Sequence, residues 1–212
     1  MSENLINIED VMRNTRRYWF IDGLSEITGG VLIIMIALSY QLIYLLEDSA
    51  SRTMLLLIGQ PALILLSAYF SRKFILKLKE RFTYPRTGFV KFHAAKPNKR
   101  VQRILLVILI AGGVSIFISF MASMIPDRYL PVISSIFIGA YSWILGYFNG
   151  VKRFYIIAIL IVIFGGLISW INLGGGLPYI YLLTGIGVIW VLSGGWTLVR
   201  YMSQTKPVQE AG

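Results

Sequence analysis

The amino-acid sequence predicts an all-α membrane protein: six transmembrane helices arranged as three up-down hairpins, preceded by an amphipathic helix lying in the interface. Three observations carry that prediction. Of 212 residues, 56% are apolar and 14% charged, with mean hydropathy +0.70, far outside the range of a water-soluble globule. The apolar residues gather into six segments, near 24–46, 53–73, 103–125, 130–149, 154–172 and 178–201. Each has about 18–26 residues, enough at ~1.5 Å per residue to cross ~30 Å of hydrocarbon. Finally, one basic block, 71–103, holds eleven of the twenty Lys and Arg residues and a single acid, Glu80.

The chain therefore divides into an interfacial segment 1–22, a first transmembrane hairpin 23–73, a basic loop 74–102, four further spans within 103–201, and a tail 202–212. In the first segment Asn7 can cap a helix with Asp10 in its favourable first turn. Leu5, Ile8, Met12, Thr15 and Trp19 fall at helical spacing, with Arg13, Arg16 and Arg17 on other faces. That pattern suits the headgroup plane, with Tyr18, Trp19 and Phe20 as an aromatic anchor; a polar leader without membrane contact is the alternative. No small-residue cleavage site follows, so no removable signal peptide is expected. Asp22-Gly23 breaks the helix before the first span.

The spans carry a threefold similarity. ITGGVLIIM, IAGGVSIFI and IFGGLISWI place paired glycines at a similar depth in the first, third and fifth, while the fourth and sixth open with Leu-Pro. Three repeated hairpins explain this; chance likeness among Ile- and Gly-rich helices is the rival. Small residues let helices approach closely where lipid removes any hydrophobic drive to associate. Gly112, Ser115 and Ser119 form such a stripe in the third span, and Ser135, Gly139, Ser142 and Gly146 another in the fourth. These read as packing seams, facing each other or a neighbouring subunit.

Charge sets the orientation. Lys and Arg number 18 before the first span, in the central block, at Lys152-Arg153 and after the last span, against Arg52 and Arg128 on the other side. By the positive-inside rule both termini and the central block are cytoplasmic, in a multi-pass protein of the cell membrane. The net charge of +10 is thus largely local, and its natural partner is the anionic headgroups of the bilayer rather than nucleic acid. The oligomeric state is not encoded in any recognisable pattern.

Chemistry has few materials. There is no cysteine and one histidine, His93, so disulfides, thiolate nucleophiles, multi-His metal sites and haem pairs are excluded. No nucleophile–base pair, acid cluster or phosphate-binding glycine motif is present, so neither an enzyme nor a cofactor or metal is expected. Glu26 is an acid one turn inside the first span. It reads as a salt bridge to Arg72, Lys73 or Arg103 or as an acid snorkelled to headgroup water, with a proton or cation site as the alternative. Gln60, before Pro61, marks a kink in the second span or a small polar site.

The central block reads in three pieces. The second span continues through Phe74, Ile75, Leu78 and Phe82, with Lys77, Lys79 and Arg81 snorkelling or solvated. Tyr84-Pro85-Arg86-Thr87-Gly88 forms a turn, and Phe89 to Phe92 an extended aromatic piece. Tyr84, Pro85, Arg86, Thr87, Gly88, Phe89 and Phe92 are therefore candidate docking residues for a cytoplasmic or membrane protein partner, with plain leaflet binding as the alternative. NTRRYWFIDGLSEITGG and ERFTYPRTGFVKF resemble a family of uncharacterised prokaryotic integral membrane proteins that share an Arg-Arg-Tyr-Trp…Asp-Gly start and a Tyr-Pro-Arg-Thr-Gly loop. The resemblance implies a fold and no activity. Two functions follow: an interaction or regulatory subunit presenting the basic loop, or the permease subunit of an ABC-type transporter working with a separate ATPase.

Overall fold

The computed structural model describes residues 19–46, 50–84, 125–171, 173 and 177–205. Five helices there are long and apolar enough to cross a membrane. They are α1 (Leu24–Tyr44), α2 (Ala50–Phe82), α3 (Leu130–Asn149), α4 (Arg153–Ile171) and α5 (Leu177–Gln204). No strand occurs among the described residues. The amphipathic segment up to Tyr18, the loop from Pro85, the third span up to Met124 and the tail from Lys206 lie outside them.

Local chemistry explains the helix ends. Gly23 precedes α1 at φ 71°, a left-handed conformation open to glycine and awkward for residues with a Cβ. Asp22 Oδ1 accepts the Leu24 amide at 3.1 Å, satisfying one of the first-turn donors. Gly150 closes α3 at φ 66° and gives its N–H to the Gly146 carbonyl, the familiar glycine stop. Pro131 and Pro178 sit in the first turns of α3 and α5, where a missing N–H is harmless.

Within α2, Leu55–Gly59 form a π-helical turn, and the Gln60 N–H reaches back to Leu55 O. That wide turn lies just ahead of Pro61, which has no N–H and whose ring would crowd an ordinary helical carbonyl. The helix then runs without a break beyond the span's end at residue 73 as far as Phe82, the continuation expected through Phe74, Ile75 and Leu78.

α1 packs most extensively on α5, and α3 on α4; the two pairs join where α4 meets α5, and α2 leans on α1. The apolar core sits at that junction, built from Phe154, Ile157, Ile161 and Ile168 of α4 with Leu182 and Ile186 of α5. Their spacing keeps one stripe of each helix inward. The outer faces are equally apolar: Leu57 is 71% exposed, Leu65 72%, Trp196 74% and Trp170 84%. Such a surface suits lipid and would not stay dispersed in water.

Glycines set how closely the pairs approach. A Cβ on Gly30 would stand 2.6 Å from Gly187 O, and one on Gly194 2.7 Å from Gly23 O, so α1 and α5 touch backbone to backbone. On α3, Ser135, Gly139, Ser142 and Gly146 are all buried. A Cβ on Gly139 would lie 2.8 Å from Val162 and 3.1 Å from the Ala158 carbonyl. The stripe of the fourth span thus lies against α4, the helix that follows it. Its proposed counterpart, Gly112, Ser115 and Ser119, falls outside the described residues.

Candidate functional site

Four chain segments converge on a buried ionic node at the basic end of the bundle. Asp22 precedes α1 and Glu26 lies in its first turn, and the two carboxylates meet different neighbours, α2 for Asp22 and α4 with α5 for Glu26. Lys79 and Thr83 stand one helical turn apart in the last turns of α2, and Ser193, Thr197 and Tyr201 repeat that spacing along α5. Arg153 is the first residue of α4. A cation there opposes the positive end of the helix dipole, so a nearby carboxylate is electrostatically called for.

The node has two halves. In the first, Lys79 Nζ lies 2.9 Å from Asp22 Oδ2, with both side chains sealed from solvent at 1% and 0% exposure. Lys79 also donates to Trp19 O at 2.8 Å and sits 4.9 Å from the centre of the Trp19 ring. Thr83 Oγ1 donates to the same Asp22 oxygen at 2.7 Å. The Tyr201 hydroxyl reaches Thr83 O at 3.5 Å, a long contact that brings in the end of α5.

In the second half, Arg153 Nε donates to Glu26 Oε1 at 2.8 Å, and Nη2 contacts both that oxygen and the Phe20 carbonyl. Ser193 Oγ donates to the other carboxylate oxygen at 3.1 Å. Beneath this pair Phe20 meets Phe154 edge-on at 5.2 Å, and Phe154 stacks on Trp190 at 5.6 Å. The aromatic column shields the charges from the apolar core while leaving Arg153 partly open, at 28% exposure.

Two sequence expectations are corrected here. Glu26 does form a salt bridge, but with Arg153, which is 127 residues away. Lys73, one of the anticipated partners, does not supply it, while Arg103 and the side chain of Arg72 lie outside what the structure describes. Lys79 is neither snorkelling nor solvated; it is a buried counterion. Its neighbours Lys77 and Arg81 do face outward, since only one face of α2 meets Asp22. Asp22, Thr83, Arg153 and Ser193 did not figure as candidates, although Asp22 and Glu26 are the sole acids between Asp10 and Glu47. That isolated pair at helical spacing was the available signal.

Of the other sequence candidates, Gln60 is buried and its side-chain amide donates to Ser39 Oγ at 2.9 Å, a polar contact between α2 and α1. Tyr84 is half-buried directly after Thr83. Pro85, Arg86, Thr87, Gly88, Phe89 and Phe92 lie outside the described residues.

Chemically, the node is closed. Each carboxylate is occupied by cations and hydroxyls, and breaking one partner of so buried a pair is strongly unfavourable. It is built to hold segments together. Among the described residues no group of three or more His, Cys, Asp or Glu could hold a metal ion. Cavities elsewhere include one of about 480 Å³ at the opposite end, among Tyr40, Tyr44, Arg52 and Tyr179, and a groove of about 820 Å³ between α1 and α2. Compared with protein-family models, curated proteins and solved structures, the chain matches none.

Proposed function

We propose that this multi-pass membrane protein is an interaction or regulatory subunit of the cell membrane, without catalytic activity of its own. It presents its basic loop, together with the amphipathic N-terminal segment, to a protein partner on the cytoplasmic side. One observation carries the reading. The Asp22–Lys79–Thr83 contacts tie the root of the loop, at Thr83 and Tyr84, to the root of the N-terminal segment at Trp19. Tyr201 draws the end of α5 to the same point. A loop needed only as a charged tether to the leaflet would gain nothing from an anchor of this kind. A loop whose shape is read by a partner would, because presenting it from rigid elements lowers the ordering cost of binding.

The shape-reading residues of that loop are Pro85 and Gly88 for the turn, Arg86 as a planar two-pronged donor, and Phe89 and Phe92 as aromatic anchors. The test is a pull-down of tagged full-length variants from native membranes at fixed salt. Arg86→Lys, which keeps the charge, and Gly88→Val abolish co-purification of the partner, whereas neutralising Lys77, Lys96 and Lys99 together weakens it only modestly. The reverse pattern reduces the loop to an electrostatic anchor. Recovery of a nucleotide-hydrolysing ATPase as the partner would replace the regulatory reading with that of a transporter permease subunit.

A further inference from the structure

We infer that the groove between α1 and α2 is a binding site for one anionic glycerophospholipid from the leaflet at the basic end. Polar side chains join the two helices at two depths: Gln60 to Ser39, five residues from the far end of α1, and Lys79 and Thr83 to Asp22 at the basic end. Between these pins the helices part, leaving about 820 Å³ of space. Its walls are Ile27, Val31 and Met35 on α1 and Leu63, Leu66 and Phe70 on α2. These are apolar side chains suited to an acyl chain.

Length and charge select the occupant. One leaflet of hydrocarbon is about 15 Å deep, the rise of about ten helical residues. Counting from Leu63, close to the Gln60 pin, ten residues lead to Lys73. Lys73 and Lys77 both line the groove at that end and are exposed, one helical turn apart, so their ammonium groups can reach the same phosphate. Among the described residues no acid lines the groove. A tail among the apolar walls with its phosphate on the two lysines satisfies every part of this arrangement. An uncharged or zwitterionic lipid would leave the cations without net compensation.

Native mass spectrometry of the detergent-purified full chain, exchanged against equimolar phosphatidylglycerol and phosphatidylcholine, tests the site. The parent retains one phosphatidylglycerol in preference to phosphatidylcholine. Removing one lysine, in Lys73→Gln or Lys77→Gln, lowers that preference roughly five-fold, and the double variant about thirty-fold. Lys73→Arg with Lys77→Arg keeps it. Leu66→Trp, which fills the groove, removes retention of both lipids while the melting temperature stays near the parent's.

Equal retention of the two lipids by the parent, or an unchanged preference in the double glutamine variant, overturns the proposal. A second measurement checks the rival occupant, the chain's own third span. The sequence lacks cysteine, so paired cysteines at Leu66 and Ser115, or Leu66 and Ser119, can be introduced cleanly. Efficient disulfide formation between them in native membranes assigns the groove to that span and ends the lipid reading.

Discussion

Asp22 illustrates what a single residue does in this protein. Its two oxygens accept from a backbone amide, a hydroxyl and an ammonium, so one carboxylate starts α1 and ties it to the end of α2. Because neither Asp22 nor Lys79 touches solvent, losing one partner strands the other charge in a place with no water to receive it. Lys79→Met is therefore expected to destabilise the protein by about 3–5 kcal/mol. Combining it with Asp22→Asn, which removes the stranded charge and keeps a hydrogen-bond acceptor, recovers most of the loss. Thermal melts of the single and double variants in mild detergent check both halves. If Lys79→Met melts like the parent, the pair is not the buried lock described above.

At the scale of elements, close helix approach depends on which glycine of a pair faces the neighbour. Gly194 and Gly195 are adjacent in α5, yet a Cβ at Gly194 would lie 2.7 Å from Gly23 O, while one at Gly195 meets nothing within 4 Å. Gly194→Ala should push α1 and α5 apart and lower stability by about 1–3 kcal/mol, the range for overfilling a packed contact. Gly195→Ala should be neutral or gain up to about 1 kcal/mol from better helix propensity. The contrast, read as a difference in melting temperature between two conservative neighbours, isolates packing from any general effect on the helix. Equal shifts in the two variants would mean that the α1–α5 seam is placed wrongly.

For the whole molecule, the arrangement of charge across the membrane is the governing feature. By the positive-inside rule, eighteen basic residues on one side against Arg52 and Arg128 on the other predict a cytoplasmic location for the ionic node, the basic loop and both chain ends. Cysteines introduced singly at Asp127, before α3, should react with an impermeant thiol reagent added to intact cells. Those at Asn98 and at Gln204, the last residue of α5, should react only after the cells are opened. Labelling of Asn98 from outside would invert the orientation and with it the side on which any loop partner must be sought.

The helical, membrane-crossing character of the chain was written in composition and in the length of its apolar runs, properties that every residue of a span contributes to and no single contact decides. The buried stripe Ser135, Gly139, Ser142 and Gly146 was legible for the same reason: small residues at helical spacing have one physical use among lipids. What sequence alone left open was partnership. α1 packs chiefly on α5, which lies more than 130 residues downstream, and not on its immediate neighbour α2. Glu26 takes Arg153 as its counterion in preference to nearer cations. Lys79 and Lys77 are two positions apart in one basic run, and nothing in that run tells which is buried; only the direction each takes from α2 sends one to Asp22 and the other outward. Periodicity reports which face of a helix is unlike the rest, whereas the identity of the surface it meets depends on distances between segments that a linear pattern does not contain.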